Sequence, residues 1–113
     1  MTPLILFLLL TVWQKTNLDH HEHGFIVDRD GKVIMLNGGT GEIQANLPVS
    51  ASIFAHTHPR GSDNYPSPED IRNEKNWAKH GGGVSLVEGI DWRNRRTVYT
   101  IAGDGKVSLT EVF

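Results

Sequence analysis

The sequence predicts an α+β domain in which helices flank a central mixed, largely antiparallel sheet. Three observations predict it: an apolar segment of helical length near the start, one well-capped polar helix in the middle, and short β-rich segments around both. A chain of 113 residues is long enough for one domain with a single modest core. We therefore predict a single domain over residues 1–113, with an apolar N-terminal helix over residues 1–18 and the functional core over residues 19–113.

The N-terminal segment, residues 3–13, is almost entirely apolar. It is too short to span a bilayer as a helix. It resembles the apolar part of a signal peptide, but no Lys or Arg precedes it and no small-x-small cleavage site follows it. Because a helix that is apolar on all sides is usually buried, we favour a buried first helix that ends within the polar residues 14–21. A signal or anchor segment and a binding face for a partner chain stay open.

Turn signals divide the rest of the chain into strands. Asp-Gly pairs at residues 30–31 and 104–105 indicate hairpins, because turns with positive φ at both central residues favour this dipeptide. The predicted strands cover residues 25–27, 32–36, 42–45, 52–56, 84–87, 97–101 and 106–112. The strand over residues 52–56 is apolar enough to be buried, and it delivers two closely spaced histidines at its end.

The second helix has a clear beginning and end. Ser67 suits the N-cap, Pro68 the first helical position and Asp70 the third. We expect the helix to run to about residue 79, because three glycines follow at residues 81–83. His80 precedes these glycines and is expected to interact with the C-terminus of the helix.

Composition excludes several classes of function. The net charge is −2, and the only basic cluster, residues 93–96, falls in a predicted hairpin turn, so no nucleic-acid partner is expected. The absence of cysteine excludes disulfides, thiolate zinc sites and cysteine nucleophiles. We expect a cytoplasmic protein, or a secreted one if residues 1–18 act as a signal segment. Membrane binding is not expected beyond what the apolar N-terminal segment leaves open.

A possible metal site is the most informative feature. His56 and His58 are two positions apart on an extended segment, so both rings point to one side and Thr57 points away. Asp70 lies at the positive end of the second helix, which favours its ionised form. Two imidazoles and one carboxylate with an open fourth position are the ligand set of a catalytic zinc site. We therefore predict Zn²⁺ as the cofactor, bound by His56, His58 and Asp70.

Zinc lowers the pKa of a bound water from about 15.7 to about 7, and hydrolysis then needs a general base. Glu22, just before the first predicted strand, is the best candidate, followed by Glu42 and then Glu69. The Ser67 hydroxyl is expected to stabilise a developing oxyanion. Taken alone, Ser67 and Asp70 also form an ordinary capping box.

A second group of histidines, His20, His21 and His23, lies directly around Glu22. Three interpretations of this group stay open: a surface patch, a group that supports the metal ligands, or a weak metal-binding site.

The sequence resembles the signature of the JAMM family, also called JAB or MPN+ metalloproteases. That signature is an upstream glutamate, then His-Ser/Thr-His-Pro, a short loop and Ser-x-x-Asp. Residues 56–59 and 67–71 resemble the second part, and residues 22–27 are similar to the family's glutamate-bearing strand. The resemblance covers about residues 4–102. The loop over residues 59–66 is one residue longer than is usual in the family.

The resemblance implies a JAB/MPN-like fold, which is a three-layer, cytidine-deaminase-like arrangement. It implies that His56, His58 and Asp70 bind zinc, that Glu22 is the general acid and base, and that Ser67 steadies the tetrahedral intermediate.

The implied reaction is hydrolysis of a peptide or isopeptide bond, often at the C-terminus of ubiquitin or a ubiquitin-like protein. The chain lacks the long insertions with which eukaryotic members hold ubiquitin, and it is similar to compact prokaryotic or viral JAB domains. Two alternatives stay open: a non-catalytic MPN-like interaction module, and a zinc amidase that acts on a small peptide.

Overall fold

A computed structural model describes residues 1–38 and 51–113. This part of the chain forms two helices and six strands. In chain order they are α1 (Pro3–Asp19), β1 (His23–Asp28), β2 (Val33–Asn37), β3 (Ala51–Thr57), α2 (Pro68–Lys79), β4 (Val84–Ile90), β5 (Arg96–Ile101) and β6 (Val107–Val112). The strand predicted over residues 42–45 lies outside the described residues.

The six strands form one sheet in the order β2-β1-β3-β4-β5-β6. Neighbouring strands are antiparallel except for β3 and β4, which run parallel. A parallel pair needs a crossover connection, and α2 lies in the connection between β3 and β4. The predicted α+β class and the mixed, largely antiparallel sheet are therefore confirmed.

Helix α1 has two apolar faces, and only one of them is buried. Thr2 caps its N-terminus by accepting the Ile5 N–H at 3.3 Å. The buried face consists of Ile5, Leu8, Leu9, Val12, Trp13 and Thr16. Leu4, Phe7 and Leu10 remain 49%, 64% and 39% exposed, because the sheet covers one side of the helix. The predicted buried first helix is thus buried on one face and exposed on the other. In the described part of the chain, no helix has the length and apolarity needed to cross a membrane.

Both Asp-Gly pairs form the predicted hairpins, but with a different turn. Only the glycines have positive φ, 85° at Gly31 and 89° at Gly105. In the first hairpin the Gly31 N–H donates to the Asp28 carbonyl at 3.0 Å, which makes a three-residue loop that ends in a left-handed residue. Asn94, with φ of 63°, takes the place of the glycine between β4 and β5. The expectation of two positive φ angles per turn was therefore wrong.

The two helices pack on opposite faces of the sheet. One core cluster joins α1 to the sheet through Phe25, Val27, Ala55, Leu86 and Val98. A second cluster, on the α2 side, contains Ile26, Ala51 and Trp77. Because successive side chains of a strand point to opposite faces, β3 directs Thr57 toward α1 and His56 toward α2. The result is three layers, helix–sheet–helix.

Candidate metal centre

Strand β3 places two imidazoles beside each other at the end of the parallel strand pair. The ring centroids of His56 and His58 are 5.2 Å apart, and the ring of Phe54 stacks on His56 at 5.3 Å. His56 is buried, and His58 is held by its backbone N–H, which donates to the Glu88 carbonyl at 2.7 Å. Both rings are thus fixed by the sheet rather than by a loop alone.

Helix α2 brings Asp70 to these rings. Ser67 is the N-cap, as predicted: its Oγ accepts the Asp70 N–H at 3.0 Å, and its own N–H donates to Asp70 Oδ2 at 2.9 Å. Asp70 Oδ1 lies 3.3 Å from His56 Nε2, and Asp70 Oδ2 lies 3.1 Å from His58 Nε2. The longer loop therefore does not displace the carboxylate, and the three residues predicted as ligands lie together. Their role as ligands stays a prediction.

Glu22 reaches the same place through strand register. Gly24 pairs with His56 in the antiparallel β1–β3 ladder, so extending this register by two residues puts Glu22 opposite His58. Glu22 is 7% exposed, and one of its carboxylate oxygens lies within 4.8 Å of a ring nitrogen of each histidine. The prediction that strand pairing brings Glu22 beside the histidine strand is confirmed. Of the two other base candidates, Glu69 is exposed and Glu42 lies outside the described residues.

The two nitrogens of His58 both face oxygen acceptors. Nδ1 lies 2.7 Å from the Asp63 carbonyl oxygen, which can only accept, so Nδ1 carries a hydrogen. Nε2 faces the Asp70 carboxylate. A neutral imidazole has one N–H, so a lone pair would oppose the carboxylate unless a proton or a metal cation lies between them. The site is thus built to hold a positive charge at His58 Nε2.

The pKa shifts follow this arrangement. Burial lowers the pKa of His58, but the hydrogen bonds to Asp70 and Asp63 outweigh it, and the net pKa is raised. Burial raises the pKa of Asp70, but the contacts with His56 and His58 outweigh that effect and hold its pKa far below the ordinary value. Asp70 is therefore an anion at neutral pH, as a metal ligand must be.

The donor types fit zinc, which binds histidine nitrogen and carboxylate oxygen. Asp70 presents a different oxygen to each imidazole, Oδ1 to His56 Nε2 at 3.3 Å and Oδ2 to His58 Nε2 at 3.1 Å. His56 Nδ1 is buried and has no hydrogen-bond partner among the described residues. Glu22 and Asp70 border the histidine pair, so a second carboxylate is available for proton transfer.

The second histidine group is structural. His20 ends α1 in a left-handed conformation, and the His21 N–H donates to the Asp19 carboxylate. His23 is only 5% exposed, and its ring nitrogens lie 2.8 Å from Asp19 Oδ2 and 3.0 Å from Asn37 Oδ1. The surface interpretation is therefore wrong for His23. Within residues 1–38 and 51–113, the group whose possible ligand atoms all lie within 4.8 Å of one another is Glu22, His56 and His58. It contains none of these three histidines, and it has Glu22 in the third place where the sequence predicted Asp70.

His80 behaves as predicted at the end of α2. It is the C-cap residue, and its Nδ1 lies 2.9 Å from the Asn76 carbonyl oxygen in the last turn.

A surface groove between the loop that carries Asp63 and the end of β4 was missed in the sequence. It has a volume of about 460 Å³ and is lined by residues 61–64 and 90–92. Its wall includes Asp63, whose carbonyl orients His58. Gly89 lets this loop lie on β4, because a Cβ there would come within 2.9 Å of Asn64 Cα. Trp92 lines the groove and is 85% exposed. In the sequence, only the isolated tryptophan in a polar turn could have indicated this surface.

No protein-family model matches this chain, and no curated protein matches it either.

Proposed function

We propose that this protein is a zinc-dependent amide hydrolase of the JAMM type, with a JAB/MPN-like fold, that acts as a peptidase or isopeptidase. The observation that carries the proposal is His58. Its Nδ1–H is committed to Asp63, and its Nε2 faces the Asp70 carboxylate with His56 on one side and Glu22 opposite in the β1–β3 register. A cation between His58 Nε2 and the Asp70 carboxylate would remove the repulsion between their lone pairs, and the Glu22 carboxylate nearby is the proposed base.

In the proposed reaction His56, His58 and Asp70 hold the ion. When bound, zinc supplies Lewis acidity that lowers the pKa of a water to about 7. Glu22 would accept a proton from the attacking water. Glu22 then passes the proton to the nitrogen of the breaking C–N bond, and the products are a carboxylic acid and an amine.

Ser67 serves two purposes in this proposal. Its Oγ accepts the Asp70 N–H and so holds the helix terminus. A hydroxyl that accepts one hydrogen bond still has its own hydrogen to donate. That hydrogen is available for the oxyanion of the tetrahedral intermediate.

The proposed substrate is an extended peptide, such as the C-terminal tail of a ubiquitin-like protein. Its support is the open groove lined by Asp63, which can accept residues that flank the scissile bond.

The test is metal content together with cleavage. The wild type, Glu22→Gln and His58→Ala are reconstituted with zinc and measured by mass spectrometry. Each is then assayed on a fluorogenic peptide and on a fusion that carries a ubiquitin-like tail. We expect zinc in the wild type and in Glu22→Gln, cleavage by the wild type alone, and loss of both in His58→Ala.

Each other outcome rejects a defined part of the proposal. A wild type that folds but binds no zinc on reconstitution is an interaction module, and the enzymatic proposal fails. Loss of zinc in Glu22→Gln makes Glu22 a ligand rather than the base. Cleavage confined to small peptides makes the protein an amidase for small substrates.

A further inference from the structure

We infer that Thr57 is a positioning residue that holds the Glu22–His23 peptide and thereby directs the Glu22 carboxylate toward the histidine pair. This inference rests on the proposed role of Glu22. Thr57 lies between His56 and His58 in sequence, but its side chain points to the opposite face of the sheet, toward α1. It is completely buried. Its function is therefore not to touch the ion or a substrate.

The Thr57 hydroxyl uses every hydrogen bond that it can make. Oγ1 accepts the His23 N–H at 3.0 Å and donates to the His23 carbonyl at 3.2 Å. The Thr16 hydroxyl, buried on α1, lies 2.5 Å away and can donate to the remaining lone pair. One side chain thus ties β3 to the start of β1 and to α1.

The other polar atom of the same peptide unit is also held. The Glu22 carbonyl accepts the Gly38 N–H at 2.8 Å, just beyond the end of β2. The peptide plane between Glu22 and His23 is therefore clamped at its N–H by Thr57 and at its C=O by Gly38. Because a peptide is planar, holding both atoms fixes the dihedral angles on either side of it, ψ of Glu22 and φ of His23. The direction in which the Glu22 side chain leaves the backbone is fixed as a result.

The Thr57 hydroxyl joins β3 to the start of β1 at the level of the histidines. Thr57 is the last residue of β3, and the His58 N–H just beyond it donates to the Glu88 carbonyl of β4. The buried His23 N–H donates to the Thr57 hydroxyl. This contact thus lies where β3 ends, next to the residue that carries the proposed base.

The test compares Thr57→Val, which keeps the shape and removes the hydroxyl, with Thr57→Ser, which keeps the hydroxyl. Thr16→Val is the matched control, because it removes a buried hydroxyl from the same network and leaves both bonds between Thr57 and His23. The readouts are amide hydrogen exchange of His23 in zinc-free protein, zinc affinity, and kcat and KM on the fluorogenic peptide.

For Thr57→Val we expect His23 exchange to be at least about tenfold faster. We expect kcat to be at least about tenfold lower, since a misplaced catalytic group loses rate while ground-state binding is kept. Zinc affinity and KM should stay within about threefold of the wild type. Thr57→Ser should restore both kcat and exchange, and Thr16→Val should change neither by more than about threefold.

Equal losses of kcat in Thr57→Val and Thr16→Val would show a general packing role and overturn the inference. Rapid hydrogen exchange of the His23 amide in the wild type would also overturn the inference. This measurement uses the wild type alone and does not depend on the folding of any variant. An inactive wild type with a protected His23 amide would instead reject the proposed function. The inference that Thr57 holds the Glu22–His23 peptide would not be affected.

Discussion

Two acids on opposite faces of the same sheet, the half-buried Asp70 and the buried Glu88, have pKa values shifted in opposite directions. Asp70, on the α2 side, lies against two imidazole nitrogens at 3.1 and 3.3 Å, and its pKa is lowered. Glu88, on the α1 side, is completely buried, and burial raises its pKa to about 8 despite Arg96 Nε at 3.2 Å. Neither oxygen of Glu88 makes an aligned hydrogen bond to a described residue.

The difference shows that a nearby cation is not sufficient to keep a buried carboxylate charged. Asp70 accepts the Ser67 N–H and lies against two ring nitrogens, so aligned contacts replace much of its lost hydration. Glu88 has one partner in poor alignment, and desolvation dominates. Of these two acids, Asp70 is therefore the one that is an anion at neutral pH.

The largest effect is expected for Asp70→Asn. The amide removes the negative charge between the two imidazoles, so zinc affinity should fall by more than about a hundredfold and cleavage should be lost. Competition with a chromogenic chelator measures the affinity. Glu69→Gln is the control, because Glu69 lies on the same helical turn but is exposed and away from the rings. Equal losses in both variants would mean that Asp70 acts through the charge of the helix terminus.

The second largest effect, a loss of catalytic rate, is expected for Ser67→Ala. We expect kcat to fall about a hundredfold through loss of the oxyanion donor, with zinc retained. Loss of the N-cap should also lower the free energy of unfolding by about 1 kcal/mol. Thr2→Ala removes the matching cap of α1 and is the control for that stability loss. If zinc affinity falls together with kcat, then Ser67 acts by placing Asp70.

The pH dependence of the free energy of unfolding tests the raised pKa of Glu88. Its pKa in the folded protein is about 8, above the ordinary 4.5. The unfolded chain therefore releases this proton first, and its contribution to the free energy of unfolding falls as pH rises from about 4.5 to about 8. Glu88→Gln should match the wild type near pH 5 and exceed its free energy of unfolding near pH 8.5, by roughly 4 kcal/mol.

Urea unfolding of the zinc-free proteins at the two pH values measures this difference. Parallel pH profiles for the wild type and Glu88→Gln would contradict the raised pKa. A Glu88→Gln variant that is less stable near pH 8.5 would show that the ion pair with Arg96 is stabilising after all.

The smallest effect is expected for Trp92→Ala, which tests whether the Asp70 site extends into the groove lined by Asp63. Removing this exposed ring should raise KM about three- to tenfold with kcat unchanged, because the contact is made equally in the ground and transition states. Steady-state kinetics on the peptide measure it. Leu18→Ala, which truncates an equally exposed apolar side chain on α1, is the control and should leave KM unaltered.

Features that depend on neighbouring residues were predictable from the sequence. The bounds and capping box of α2 follow from Ser67, Pro68 and Asp70, because a cap is a contact over three residues. Both Asp-Gly hairpins were also predictable. The φ of Asp30 was not, because a two-residue and a three-residue loop use the same dipeptide and the flanking strands select between them.

Features that depend on register were not predictable in detail. Glu22 and His58 are separated by 36 positions in the sequence, and the β1–β3 pairing, which matches Gly24 with His56, brings them close together. The Asp63 carbonyl that orients His58 carries no residue-type signal, since any residue has a carbonyl. The burial of His23 was missed for the same reason: its two partners come from α1 and β2.

The sequence by itself determined the helix caps, the turns and the supply of histidine and carboxylate side chains, because these are set by residue type and short-range geometry. The tertiary structure decided which acid is charged, which threonine is buried and which glutamate lies beside the histidines. Those outcomes depend on desolvation and on hydrogen bonds between distant segments, and these arise only when β1, β3 and α2 are packed together.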